Sequence, residues 1–350
     1  MAATGKQLDI YPQTIKGLCI VCVVLIHLPW GHADEWTGWL WISVRQIINF
    51  AVATFFFLSA YYTKPAKVLY SSGLINYYKK RFTRILLPYL FWASVYIIVI
   101  PIITAGHIED NWCYYYLTGK GPTYFLLALA QFTILNPILQ KYKDNRAWNL
   151  FFLLVTPMYL TFYYWYNFKA GREFKPEQFF CFPWFACYYL GLKMQDSSFR
   201  KVIGKLSPIS AITLCMILLL LSNIEAFFVY SFTGIYSFAI SQITIGSVIY
   251  SLGMIMLFRT LWKDESTQVP NWLTSLGDYS MGIFLMHPTF NWLFKFLILH
   301  LPGGLTVYSS TLGFTIIHLI ILVFSVSASY FVSRFLSDKF PRLIIPLGLK

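Results

Sequence analysis

The sequence predicts an all-α, polytopic integral membrane protein with about ten transmembrane helices and both termini cytoplasmic. Three observations carry this. The chain is 57% hydrophobic and only 12% charged, about half the charged fraction of a soluble domain. Its apolar residues form continuous blocks near the ~20 residues that a spanning helix needs, without the alternation of a membrane barrel. Aromatic residues make up 20% of the chain and cluster at block ends, where an interfacial belt sits. Residues 1–350 read as a single membrane domain. The expected spans are about 15–30, 41–62, 85–103, 122–140, 148–166, 179–194, 208–225, 237–258, 272–293 and 308–332.

Charge supplies the orientation. The net charge is +13, with 27 Lys and Arg in all. With the N-terminus inside, only Arg45, Lys120, Lys169, Arg172, Lys175 and Lys295 fall on the outer side. That asymmetry follows the positive-inside rule. The basic excess therefore orients the chain and argues against a nucleic-acid partner. A multi-pass protein of the cell inner (plasma) membrane is expected. The first apolar block has a basic flank, but no small-residue cleavage site follows it and nine further spans do, so it is retained. The six cysteines fall mostly inside spans. Cys19 and Cys22 mimic a redox spacing without other ligands nearby, so neither a disulfide frame nor a metal site is expected.

The elements follow in order. The polar start ends at Thr14, a candidate cap for the first span. Lys16 stands at the entrance of that span, and His27 lies eleven residues later among aliphatic neighbours. Eleven residues make three turns plus about 20°, so both side chains share a face about 16 Å apart. The plain reading is a snorkelling lysine and a hydrogen-bonded core histidine. The chemical reading is a cation above a buried titratable group, since intramembrane ionisable residues mark function. Asp9 is a candidate partner for Lys16. The loop GHADEWTG places His32, Asp34 and Glu35 outside, and Arg45 follows about one turn inside the second span.

The longest cytoplasmic connection runs from Thr63 to Arg84 and ends in NYYKKRFTRILLPY. Arg81 and Arg84 are three apart and share a helix face at the inner surface. They mark topology and attract anionic membrane lipid, or they clamp phosphate, which paired guanidiniums suit. Glu109 and Asp110, in the outer loop before the fourth span, are candidate acceptor contacts. KYKDNR, DSSFRKVIGK and RTLWKDESTQ mark the inner side, and NFKAGREFKPEQ the outer. The ninth span carries Asp278 near its inner end and His287 before Pro288. His318 in the tenth reads as a packing residue, and the basic tail returns inside. No repeat, low-complexity run, Gly-rich phosphate loop or metal-ligand cluster stands out.

Four stretches in order resemble the membrane acyltransferase 3 family. The spacing from Lys16 to His27 resembles its basic-x10-His signature, and FFFLSAYY the Phe-rich end of its second span. KKRFTRILLPY is similar to its Arg-x-x-Arg motif, carried by Arg81 and Arg84. LGDYSMGIFLMHP resembles its late Leu-Gly…Ser…Tyr-Leu-x-His block, and the ten-span layout matches end to end. Two positions depart from the pattern. Lys16 stands where the family usually has Arg, and Ala60 where it usually has Gly. A lysine keeps the charge and loses the planar fork. No extracellular hydrolase-like domain of the kind some members carry is seen, so the membrane domain is expected to act alone or with a partner protein.

The resemblance implies transfer of a short acyl group, often acetyl, from cytoplasmic acyl-CoA (acetyl-CoA) to a hydroxyl of a surface glycan or lipid-linked saccharide. It implies His27 as general base, Arg81 and Arg84 on the CoA phosphates, and Lys16 holding CoA or stabilising charge near the reaction. Arg45, Glu109 and Asp110 would bind substrate, and no metal is implied. Two other classes stay open. Ten spans with buried His and Arg also suit a transporter or permease of a small solute, although no paired halves with broken helices are seen. A non-catalytic subunit of a glycan-assembly complex is the third. Nothing in the sequence sets an oligomeric state.

Overall fold

The computed structural model describes residues 10–28, 36–63, 73–119, 121–170, 180–203, 205–261, 270–301 and 311–350. Asp9, the loop residues His32, Asp34 and Glu35, and the outer cations Lys120, Arg172 and Lys175 lie outside these. The described residues form helices and no strand. Six helices are long and apolar enough to cross a membrane: Gly38–Tyr61, Leu74–Ala105, Gly121–Tyr142, Pro208–Thr233, Ser280–Leu299 and Gly313–Lys339. Two shorter apolar helices, Tyr11–Ile26 and Ile245–Leu261, accompany them. The protein is thus a helical multi-pass membrane protein.

Helix α1 (Ile10–Ile26) is central. Cys19, Ile20, Val23 and Val24 on it are fully buried or nearly so. It starts five residues before the expected span and ends four before its expected limit. Pro12 falls among the first four residues, whose N–H groups have no intrahelical partner, so it does not delay the start. Pro29 disfavours helix at the residue before it and closes the far end. Thr14 is therefore no cap: it lies within α1, and its hydroxyl meets that of Thr274 at 3.4 Å. Lys16 sits inside the helix rather than at its entrance, and His27 follows the last helical residue in a turn rather than lying within the span.

The second span divides at Asn49 into α2 (Trp36–Ile48) and α3 (Phe50–Tyr61). Gln46 and Asn49 enter a buried polar knot there. Gln46 accepts from Ser222 at 2.7 Å and Ser247 at 2.8 Å, and Asn49 donates to Ser247 at 3.0 Å. Polar groups away from water must find partners within the bundle, so this knot locks three helices together.

The third span begins at Leu74, eleven residues earlier than expected, as α4 (Leu74–Ser94). Nothing between Gly73 (φ 81°) and Ile85 breaks a helix, and long cationic side chains can lay their apolar stems along one and keep their heads toward water. A π turn at Val95–Val99 leads into α5 (Ile100–Ala105). Its Ile97 carbonyl accepts from the Glu109 N–H at 3.3 Å, which pins the following loop.

Then come α6 (Trp112–Thr118), α7 (Tyr124–Tyr142) and α8 (Arg146–Ala170). The span expected at 179–194 holds only the nine residues of α9 (Phe185–Lys193), after a 3-10 turn at Phe182–Trp184. A short α10 (Ser197–Ile203) follows. Helix α11 (Pro208–Thr233) shows its sequence logic clearly. The Ser207 hydroxyl accepts from the Ser210 N–H, Pro208 opens the first turn, and Gly234 (φ 64°) ends it.

After α12 (Tyr236–Ala239) and α13 (Ile245–Leu261), the expected ninth span breaks at Tyr279 into α14 (Asn271–Asp278) and α15 (Ser280–Leu299). The last long helix is α16 (Thr311–Lys339), and a 3-10 turn leads to α17 (Ile344–Leu347). Helices α2, α3, α14, α15 and α16 all pack on α1. Its closest neighbour is α14, because glycines interlock there: a Cβ at Gly17 would stand 2.0 Å from the Leu273 carbonyl oxygen.

Candidate active site

His27 is held by its own helix. Its Nδ1 lies 2.8 Å from the Val23 carbonyl oxygen, so Nδ1–H donates and Nε2 keeps its lone pair. His287 on α15 repeats the arrangement, with Nδ1 3.2 Å from the Ile283 carbonyl oxygen. It is fully buried, and its Nε2 has no hydrogen-bond partner. The two rings meet edge to face, with centroids 4.9 Å apart and planes at 60°. Local sequence did not link them, because they come from opposite ends of the chain. The available signal was a His-Pro step in the middle of an apolar helix.

Arg45 stands beside this pair. It donates through Nη1 to the Ile26 carbonyl at 2.7 Å and through Nη2 to the Ile240 carbonyl at 3.1 Å. A cation on the last carbonyl of α1 satisfies an orphan acceptor and complements the helix dipole. Its side chain is buried, so it caps the helix that carries His27 and ties it to the segment after α12.

The other sequence candidates divide between two cavities. A cavity of about 920 Å³ brings together Lys16, Lys80, Arg81, Arg84, Lys350 and Asp278. Lys16 lies over the Tyr62 ring at 5.9 Å, and Asp278 acts on it electrostatically. Arg81 donates to the Thr63 hydroxyl at 3.3 Å, while Arg84 is exposed. The apolar part of the lining includes Phe55, Phe125 and Phe284. Phe125 and Phe284 are 5.1 Å apart, and Phe284 lies 6.1 Å from the His287 ring. The histidine pair therefore sits one aromatic layer behind this cavity.

The C-terminal turn completes the wall, a role the sequence reading missed in treating the tail as a basic flank. Helix α17 packs on α4, Trp92 Nε1 donates to the Leu347 carbonyl at 3.1 Å, and Leu349 is fully buried. Ile344, Ile345 and Gly348 line the cavity.

A second cavity, of about 490 Å³, holds Glu109 and Asp110 with His107, Thr104, Tyr96 and Trp292. Pro288 also lines it, and the Tyr96 hydroxyl donates to the Leu285 carbonyl. Helix α15 thus runs from one cavity to the other: Phe284 faces the cationic one, His287 comes next, and Pro288 and Trp292 border the acidic one. The structure brings Lys16, Arg81 and Arg84 together, groups Glu109 with Asp110, and sets His27 with His287 between the two groups. Among the described residues, no three His, Cys, Asp or Glu side chains gather as a metal site.

Known proteins are similar to this chain in sequence. A probable poly-beta-1,6-N-acetyl-D-glucosamine export protein of Staphylococcus aureus (strain MRSA252) is 22% identical over 293 residues, covering 78% of this chain and 79% of the relative. A protein of the same description from Staphylococcus epidermidis is 24% identical over 256 residues, covering 70% and 69%. No solved structure matches the chain. The family model described as an acyltransferase domain matches residues 9–334, a range that takes in α1 and reaches into the last turns of α16, so the chain belongs to that family, the membrane acyltransferase 3 family of its sequence motifs.

Proposed function

We propose that this protein is an O-acyltransferase of the cell inner membrane. It moves a short acyl group, acetyl in the simplest case, from cytoplasmic acyl-CoA to a hydroxyl of a surface glycan or its lipid-linked precursor. The observation that carries this reading is His27, whose Nδ1–Val23 bond leaves the lone pair on Nε2 and whose ring packs on His287, itself flanked by Phe284 of a cationic cavity and Pro288 of an acidic, aromatic one.

The cationic cavity suits the donor. Its volume of about 920 Å³ lies at the upper end of small-ligand sites. Arg81, Arg84, Lys80 and Lys16 meet phosphate oxygens, and the phenylalanine floor takes the apolar arm that carries the thioester. Positive charge around this mouth supports a cytoplasmic orientation. The other cavity suits a saccharide: Trp292 offers a flat apolar face, and Glu109 and Asp110 accept from hydroxyls.

The reaction then needs a base between the two. An alcohol is a weak nucleophile near neutral pH, and imidazole titrates in the useful range. His27 Nε2 takes the hydroxyl proton as the oxygen attacks the thioester carbonyl. The C–O bond forms, the C–S bond breaks, and the departing CoA sulfur takes the proton back from His27. Arg45 holds the turn that aims the ring.

The second reading is glycan export, favoured by the description of the staphylococcal relatives. One experiment separates them. Purified protein in proteoliposomes is given acetyl-labelled acetyl-CoA with and without an oligosaccharide acceptor. Label on the acceptor, in a base-labile ester, supports transfer. Passage of unmodified oligosaccharide across the bilayer without label transfer overturns it in favour of export.

A further inference from the structure

We propose that Gln195 is a positioning residue for donor binding, holding Thr63 where Thr63 steadies Arg81; this rests on the acyltransferase reading above. Gln195 stands in the turn between α9 and α10. Its Nε2 lies 2.7 Å from the Thr63 carbonyl oxygen, 3.0 Å from that of Ala60 and 3.2 Å from that of Tyr61. Its Oε1 accepts from Gln140 Nε2 of α7 at 3.1 Å. The amide can face only this way, because the reverse would set its oxygen against three carbonyls. The last carbonyls of a helix have no intrahelical partner. Ala60 and Thr63 are buried, so one side chain supplies what that end of α3 lacks.

The backbone around Gln195 is fixed independently. Gly191 of α9 presses on α3 so closely that a Cβ would stand 2.4 Å from the Phe57 carbonyl oxygen. Asp196, next to Gln195, accepts from Lys143 Nζ at 2.6 Å. Gln195 thus reaches α3 from a turn anchored to α3 itself and to the end of α7. Beyond Thr63 the contacts lead into the cavity. The Thr63 hydroxyl donates to the Ser59 carbonyl at 2.9 Å, which leaves a lone pair for Arg81 Nη2 at 3.3 Å. Thr63 and Arg81 line the cationic cavity and Gln195 stands outside its lining, so it acts through Thr63. An arginine held in place before the anion arrives loses less side-chain freedom on binding. That difference appears in donor affinity rather than in the rate of the chemical step.

The test is a double-mutant cycle on binding of free CoA, read by calorimetry, with turnover alongside. Gln195→Met keeps the length and removes the amide. It should weaken CoA binding by about fivefold, the effect of ordering one freed arginine. The KM for acetyl-CoA should rise to match, with kcat within about twofold. In an Arg81→Ala background the same change should add less than about twofold, and in an Arg84→Ala background it should again cost about fivefold. Wild-type affinity in Gln195→Met, or a loss of equal size in both backgrounds, overturns the proposal, because general loosening of the fold would not distinguish Arg81 from Arg84. Thr63→Val tests the last link and should show the same dependence on Arg81. Wild-type affinity in that variant also overturns the proposal, whether or not Gln195→Met folds. A wild type that binds CoA and transfers no label sinks the acyltransferase reading and leaves Gln195 in its role; one that binds no CoA sinks both.

Discussion

Gly277 of α14 presses against the backbone of α1 so closely that a Cβ there would lie 1.8 Å from the carbonyl oxygen of Gln13. Gly17 makes the reciprocal approach to Leu273. This contact sets where Lys16 and Asp278 stand in the same cavity. Small residues are what permit such close packing of membrane helices.

Gly277→Ala should therefore separate α1 from α14. Backbone is what the methyl meets, so no side-chain rotation relieves it, and overpacking of this kind costs about 1–3 kcal/mol. The expected outcome is a lowered thermal midpoint in detergent together with weaker acetyl-CoA binding. A midpoint equal to wild type would show that the helices meet less closely than described.

His27→Ala should abolish acyl transfer while the protein stays folded and inserted. The ring sits in a turn beyond α1, so its removal costs the side-chain bond to the Val23 carbonyl and no backbone hydrogen bond of the helix. Loss of a general base typically removes 10²–10⁴-fold in rate, so turnover should fall by at least about a hundredfold. A variant retaining a tenth of wild-type turnover would take His27 out of the mechanism.

Arg81→Ala and Arg84→Ala should weaken CoA binding. The two share a cavity but differ in support, since Arg81 is steadied by Thr63 and Arg84 is exposed. Charge-assisted phosphate contacts contribute about 1.5–3 kcal/mol, so each change should lower affinity by about tenfold or more. The smaller effect is expected at Arg84, where solvent screens the charge. Calorimetry with free CoA checks this, and wild-type affinity in both variants would reduce the pair to a lipid anchor.

What was legible in the sequence was what is local. The apolar blocks announced a helical membrane protein, and the spacing of Arg81 and Arg84 placed them on one face, because three residues nearly complete a turn. Lys16 and His27 were linked by the same periodicity, but His27 stands in a turn past the end of α1 and only Lys16 lines the cavity. The helix limits were less legible: Pro12 looks like a breaker yet is harmless in a first turn, and the break at Tyr279 has no proline or glycine at that residue to announce it. The meeting of His27 with His287 and the folding back of Gly348 onto Pro88 and Leu285 are long-range contacts. No periodicity along one segment encodes them.

Lys16 offers the last test, at a position where the family usually has Arg. Its ammonium lies half-buried over the Tyr62 ring, within the cavity that also holds Asp278. A cation there can steady a donor phosphate and balance Asp278, and either task asks for charge rather than for a planar fork. Lys16→Arg should accordingly keep most of the activity. Lys16→Met keeps the length and apolar stem but removes one cation from the cavity that holds Asp278, so the KM for acetyl-CoA should rise by about tenfold, as for loss of one charge-assisted contact. The double variant Lys16→Met with Asp278→Asn separates the two tasks. If balancing Asp278 is the whole role, the double variant regains donor binding; if Lys16 also meets phosphate, it does not. Turnover of the Met variant equal to wild type at matched expression would leave Lys16 as an orientation signal, with Arg81 and Arg84 alone on the donor.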